Sequence, residues 1–259
     1  LGLLAEASPD AFLRCIRQVL SLEQPQATEP IAPSLIQALS NALALLALDV
    51  DLLPSVVWTL AKLVELEQVN KDLRKTSQPL QILEEIFGPQ FPRTNATAEE
   101  RLAALNVLVN QVPKVAWELL VMLLHKRGMV TLTVPRPMVL PLSVPSVHRG
   151  VSESAFYGQC EQFLVLAMDM ADVDCARWAD ILDAIRQQPI ELLQTALRRI
   201  GRQLPRLHDE QQVLWGSLRS LLSLFDPDGD NPNLANDGWR KRLRQRQEQV
   251  EELARPLYQ

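Results

Sequence analysis

The histidines His125, His148 and His208 and the cysteines Cys15, Cys160 and Cys175 have the chemistry to hold a transition metal or attack a substrate. Their spacing favours neither use. No H-x-x-x-H or H-E-x-x-H puts two imidazoles on one helix face, so each histidine reads as a surface or helix-end residue. The cysteines are odd in number, irregularly spaced and lack a C-x-x-C pair, which points away from a disulfide framework or zinc site and fits a reducing cytosol. Neither G-x-x-x-x-G-K-[ST] nor G-x-G-x-x-G occurs, so no loop is built to cradle a nucleotide. Asp226, Asp228 and Asp230 start like a calcium loop, but its sixth position is Asn231 and its twelfth Asp237, where glycine and glutamate are needed. Glu84-Glu85 and Glu99-Glu100 are paired only in sequence, since neighbours on a helix point apart. The chain is read as non-catalytic, without a cofactor or metal.

Charge points to partners instead. The net charge of −5 argues against a protein that chiefly coats nucleic acid, which needs a concentrated positive field. Against that background "WRKRLRQRQ", residues 239–247, places Arg240, Lys241, Arg242, Arg244 and Arg246 after Trp239 in one helix. Such a cluster suits an anionic partner, and the bland alternative is a solvated face balanced by Glu248, Glu251 and Glu252. Arg198, Arg199 and Arg202 extend the patch if the helices stack. Residues 129–142, "MVTLTVPRPMVLPL", are apolar enough for a docking strip or for packing into a groove, and Arg136 within them joins the candidate partner contacts. Asn95-Ala96-Thr97 matches a glycosylation acceptor, but Thr97 is better used as a helix cap.

The elements that must carry these residues are helices. Leucine and alanine recur at three- and four-residue steps, with prolines between the apolar stretches. "LGLLAEASPDAFL" already reads as helix, as in a piece cut from a longer polypeptide. Ser8-Pro9-Asp10 opens a helix with Phe12, Ile16, Val19 and Leu20 on one face. Pro33 opens one with Leu35, Leu39, Leu43 and Leu46 inward, and Pro54 one with Val57, Leu60, Leu63 and Val64. Thr97 to Glu100 form a capping box before Leu102, Leu105, Val109 and Val112. Pro113 opens the next, with Leu119, Leu120, Leu123 and Leu124. Residues 129–147 alternate around four prolines and read as an extended crossing segment. Helices return over 154–171 (Phe156, Cys160, Phe163, Leu164), 175–186 (Trp178, Ile181, Leu182, Ile185), 189–204 (Leu193, Leu197, Ile200) and 208–225 (Val213, Leu214, Leu218, Leu221). Asn236 can cap a last helix bearing Trp239, Leu243, Val250 and Leu253.

"PSVVWTL" at Pro54 and "PKVAWEL" at Pro113 share P-x-V-x-W-x-L. Extending the frame backwards aligns Leu43 with Leu102, Leu46 with Leu105 and Asp51 with Asn110, which suggests a repeated helical hairpin with Trp58 and Trp117 as core wedges. "IFGPQFPRT" then joins the units, with Phe87 and Phe91 anchoring a bend. The expected fold is all-α: an α-solenoid of helical hairpins, residues 1–128 and 151–259, joined by the extended proline-rich connector 129–150.

From Pro9 onward the chain resembles the C-terminal helical-repeat region, of TPR/HEAT-like kind, downstream of the NTPase module in large bacterial antiviral STAND-type proteins, relatives of the NOD-like receptors. "PLQILEEIFGPQFPRTNATAEERLAALNVLV", "PKVAWELLVMLL" and "VSESAFYGQCEQFLVLAMDMADVDCARWADIL" carry the resemblance. It implies a cytoplasmic sensor that binds a foreign, phage-encoded protein and triggers an upstream NTPase and effector of the same polypeptide. Where relatives have a segment like P-R-W-R-D-W, this chain has Pro135-Arg136-Pro137-Met138-Val139-Leu140, without the tryptophan and aspartate. The alternatives are a nucleic-acid-contacting module led by residues 239–247 and an oligomerisation scaffold. No run of apolar residues is long enough to span a membrane.

Overall fold

The computed structural model describes residues 1–21, 32–69, 77–125, 137–140, 151–186, 188–207 and 211–224, with 248 and 252. Its elements, in order, are α1 (Gly2–Ala7), α2 (Pro9–Ser21), α3 (Pro33–Leu46), α4 (Leu53–Val69), α5 (Gln78–Phe87), α6 (Ala98–Gln111), α7 (Pro113–Leu124), α8 (Glu153–Ala171), α9 (Cys175–Ile185), α10 (Ile190–Gln203), a 3₁₀ turn (Leu204–Arg206) and α11 (Gln211–Leu224). There is no strand among the described residues, so the all-α class holds. The chain divides into two compact units, Leu1–Leu119 with Met129–Gln159, and Leu120–Gly128 with Cys160–Gln259.

In the first unit α4 is the central helix, packed against α2, α3, α5 and α6. A helix with neighbours on several sides has to be apolar on several sides. Val56, Val57, Leu60, Ala61, Leu63 and Val64 are all fully buried and together cover an arc of about 160° on a 3.6-residue helix. In the second unit α9 has the same role, with α10 and α11 against it. Cys175, Trp178, Ile181, Leu182 and Ile185 form one buried face, which Ala179 and Ala184 widen.

Local chemistry sets the ends. Thr97 and Glu100 form the expected capping box: the Glu100 amide donates to Thr97 Oγ1 at 3.2 Å, and the Thr97 amide donates to Glu100 Oε2 at 2.7 Å. The connector 88–97 is tied to the end of α3. Thr94 Oγ1 donates to the Ala47 carbonyl at 2.6 Å, and Asn95 Nδ2 donates to that of Leu48 at 2.9 Å. These carbonyls lie just past the last turn of α3, where intrahelical donors run out. Gly88 starts the connector where an added Cβ would approach the Glu84 carbonyl to 3.2 Å. Between α8 and α9 the chain turns through Asp172 at φ 41°. Asp174 then caps α9 by accepting from the Arg177 amide at 3.1 Å.

Several expected inward positions differ. Val19, Leu35 and Val213 are exposed, and Leu13, Ile36 and Leu214 are the buried residues there. Leu39, Leu102, Val109 and Phe156 are half-buried, while Arg101, Ala104, Leu105 and Leu108 form the buried stripe of α6. For Leu35 against Ile36, Leu102 against Arg101 and Val109 against Leu108 the difference is one residue of rotation, roughly 100° on a 3.6-residue helix, between adjacent positions. Phe87 is fully buried as an anchor should be, but Phe91 is exposed. The repeat frame agrees over P-x-V-x-W-x-L and fails upstream of it. Val56 and Val115 are buried, as are Leu60 and Leu119, whereas Asp51 lies in the six-residue turn between α3 and α4 and Asn110 lies inside α6.

Trp58 and Trp117 are half-buried, so neither is a core wedge. The Arg17 guanidinium lies over the Trp58 ring at 4.7 Å, with Lys62 Nζ at 5.9 Å, and joins α2 to α4 by a cation–π contact. Among the described residues the fully enclosed tryptophan is Trp178.

Candidate protein-docking surface

Glu6 lies on α1 next to Ala5 and keeps only 4% of its surface exposed. A buried carboxylate needs donors to offset lost hydration. Glu6 Oε2 accepts three consecutive backbone amides, from Met138 at 2.7 Å, Val139 at 2.6 Å and Leu140 at 3.1 Å. Successive N–H groups converging on one anion form a nest. The Val139 amide foremost, then those of Leu140 and Met138, hold the Glu6 carboxyl below its ordinary range against the opposing effect of burial. Three donors saturate the oxygen, and the group stays ionised, so it serves as an anchor and not as a base.

The anchored segment faces outward. Met138 is 82% exposed and Val139 57%, while Pro137 and Leu140 are half-buried. Leu3 and Leu4, on the helix that carries Glu6, are also exposed. Neither Met138 nor Val139 is packed into a groove. The backbone of the segment is held by three hydrogen bonds, and two large apolar side chains stand in solvent.

The candidate partner residues Arg136, Trp239, Arg240, Lys241, Arg242, Arg244 and Arg246 lie outside the described residues, as do His148, His208, the aspartates 226–230 and, but for the exposed, helical Glu248 and Glu252, the helix expected after Asn236. Arg198 and Arg202 are exposed on α10, and Arg199 pairs with Asp169 at 3.0 Å. His125 Nδ1 lies 2.8 Å from the Val121 carbonyl and its Nε2 lies 3.9 Å from Asp183 Oδ2. Among the described residues no group of three or more His, Cys, Asp or Glu side chains could hold a metal ion. Glu85 is ion-paired with Arg93, and Glu100 belongs to the capping box. Asn95, the candidate glycosylation position, spends its amide on the Leu48 carbonyl. Among the described residues no helix is long and apolar enough to cross a membrane.

The Glu6 anchor was not foreseen from sequence. Its one signal is an acid inside "LLAEASP" on a face otherwise apolar or small, and its donors lie more than 130 residues away. A comparison with protein-family models, curated proteins and solved structures found no match to this chain.

Proposed function

We propose that this chain is a non-catalytic helical-repeat region that recognises a protein, the sensor part of a cytoplasmic antiviral STAND-type protein whose NTPase and effector lie upstream. The observation that supports the reading most is the exposure of Met138 and Val139 on a backbone held by buried Glu6. Burying a carboxylate to hold two large apolar side chains in water opposes the usual economy of a fold, and is offset when a partner covers them. Methionine also adapts its shape to a partner surface. The shared burial in the two P-x-V-x-W-x-L segments, both of them helix starts, supports reading the helices as repeats.

The test is capture from phage-infected cells with the chain itself, with Met138→Asp/Val139→Asp, and with Val165→Asp, which alters an exposed residue of α8. A phage protein retained by the first and third and lost by the second supports the reading. Equal capture by all three sinks it, and recovery of nucleic acid in its place favours the alternative. Calorimetry with ATP is the companion measurement, and saturable micromolar binding would count against a region without a phosphate loop.

A further inference from the structure

The second unit separates its charges by helix. Its part of α8 and the α8–α9 corner carry Glu161, Asp169, Asp172 and Asp174, whereas α10 and the 3₁₀ turn carry Arg198, Arg199, Arg202 and Arg206 against Glu191 alone. Some of this is neutralised within the unit, by Arg199 with Asp169 at 3.0 Å and Arg206 with Asp172 at 3.9 Å. Arg198 and Arg202 have no carboxylate partner among the described residues.

Register explains why. The buried stripe of α10 is Leu192, Leu193, Ala196, Leu197 and Ile200, and Arg198 and Arg202 fall on the opposite pole. Arg206 follows four residues on, also exposed. Attraction to the helix C-terminus accounts for Arg202 in the last turn, but Arg198 lies a turn earlier. Cations four residues apart on a helix are spaced by about 6 Å along its axis. In an extended peptide, side chains on one edge recur at every second residue, roughly 6.7 Å. For Arg198 and Arg202, both on α10, the two spacings match. No aromatic residue occurs between 190 and 206, so the face offers no platform for stacking bases.

We infer that Arg198 and Arg202, with Arg206 beyond them exchanging its weak Asp172 contact for the ligand, form a docking strip for an extended acidic segment of a protein partner, each guanidinium taking one of its alternate carboxylates. The planar fork of arginine accepts a carboxylate in two parallel hydrogen bonds, which gives direction as well as attraction. The strip belongs to the second unit and does not depend on the reading of Met138 and Val139.

The experiment is fluorescence anisotropy on the full chain with a labelled octapeptide of alternating glutamate and threonine. A peptide of equal composition with its glutamates in one block and an oligothymidylate are run beside it. The alternating peptide should bind at low ionic strength, several-fold tighter than the block. Arg198→Gln/Arg202→Gln/Arg206→Gln should weaken it about tenfold or more, and Arg14→Gln, an exposed arginine of α2, should not. Circular dichroism checks that the triple variant keeps its helices, as exposed sites allow, and each single variant should show part of the loss. No saturable binding, equal binding by the triple variant, or equal affinity for the two peptides would overturn the inference. So would tighter oligothymidylate binding lost in the same variant, which would give the strip to phosphate.

Discussion

Thr94 Oγ1 donates to the carbonyl of Ala47 at 2.6 Å, fastening the connector before α6 to the end of α3 across 47 positions of sequence. The same hydroxyl accepts the Ala96 amide at 3.2 Å. Thr94→Val keeps the shape and removes both bonds, leaving buried backbone groups unpaired. A loss of about 1–3 kcal/mol is expected in urea unfolding. An unchanged midpoint would show that this tie contributes nothing.

Trp178 and Trp58 should part company. Trp178 is fully enclosed and its Nε1 donates to the Asp172 carbonyl at 2.8 Å. Trp178→Ala should cost ~3–5 kcal/mol. Trp58→Ala removes a half-buried ring and its cation contacts, together ~1–2 kcal/mol. Equilibrium denaturation of both variants ranks them, and equal losses would contradict the packing described.

Asp172 adopts φ 41°, in the left-handed region that side chains with a Cβ avoid. Asp172→Gly should leave stability unchanged or raise it by up to ~1 kcal/mol, the backbone relief being partly offset by the weak, exposed Arg206 pair. Asp172→Val should lower it by ~1–2 kcal/mol. Thermal melts in which valine outperforms glycine would refute the assignment.

For Glu6 the sign is set by a folded-state pKa below the ordinary 4.5. The unfolded chain binds the proton first, so the contribution is complete above that value and is lost as pH falls through the folded one. Glu6→Gln should destabilise by ~1.5–3 kcal/mol at neutral pH and flatten the acid limb of the stability profile. The Met138 methyl resonance reports release of the segment. A variant with an unaltered methyl environment would remove the anchor from the account.

Cys160 is buried, and burial pushes its thiol up to about 11. Cys15 is exposed. A thiol reagent at pH 8 should label Cys15 promptly and reach Cys160 only on unfolding. Mass mapping that finds prompt labelling of Cys160 in the native chain would contradict its burial.

Much of the helical frame was legible from local signals. The capping box at Thr97, the prolines that open α3 and α7, and the apolar runs of α4, α7 and α9 each act through neighbours a turn away, so the sequence alone determined where those helices lie. The candidate site was not legible to the same degree. The rotation of α2 and α6 depended on which neighbours arrived, which buried Leu13, left Val19 exposed and buried Arg101, whose Nη1 reaches the Ala96 carbonyl at 2.9 Å. The shared P-x-V-x-W-x-L pattern marked two helix starts but not the differing turns before them. Glu6 and the amides of residues 138–140 lacked any local sign of one another. The composition determined the all-α class seen in the described residues. The tertiary structure decided which polar groups meet in the interior, because a buried charge is stabilised by donors that only long-range folding delivers.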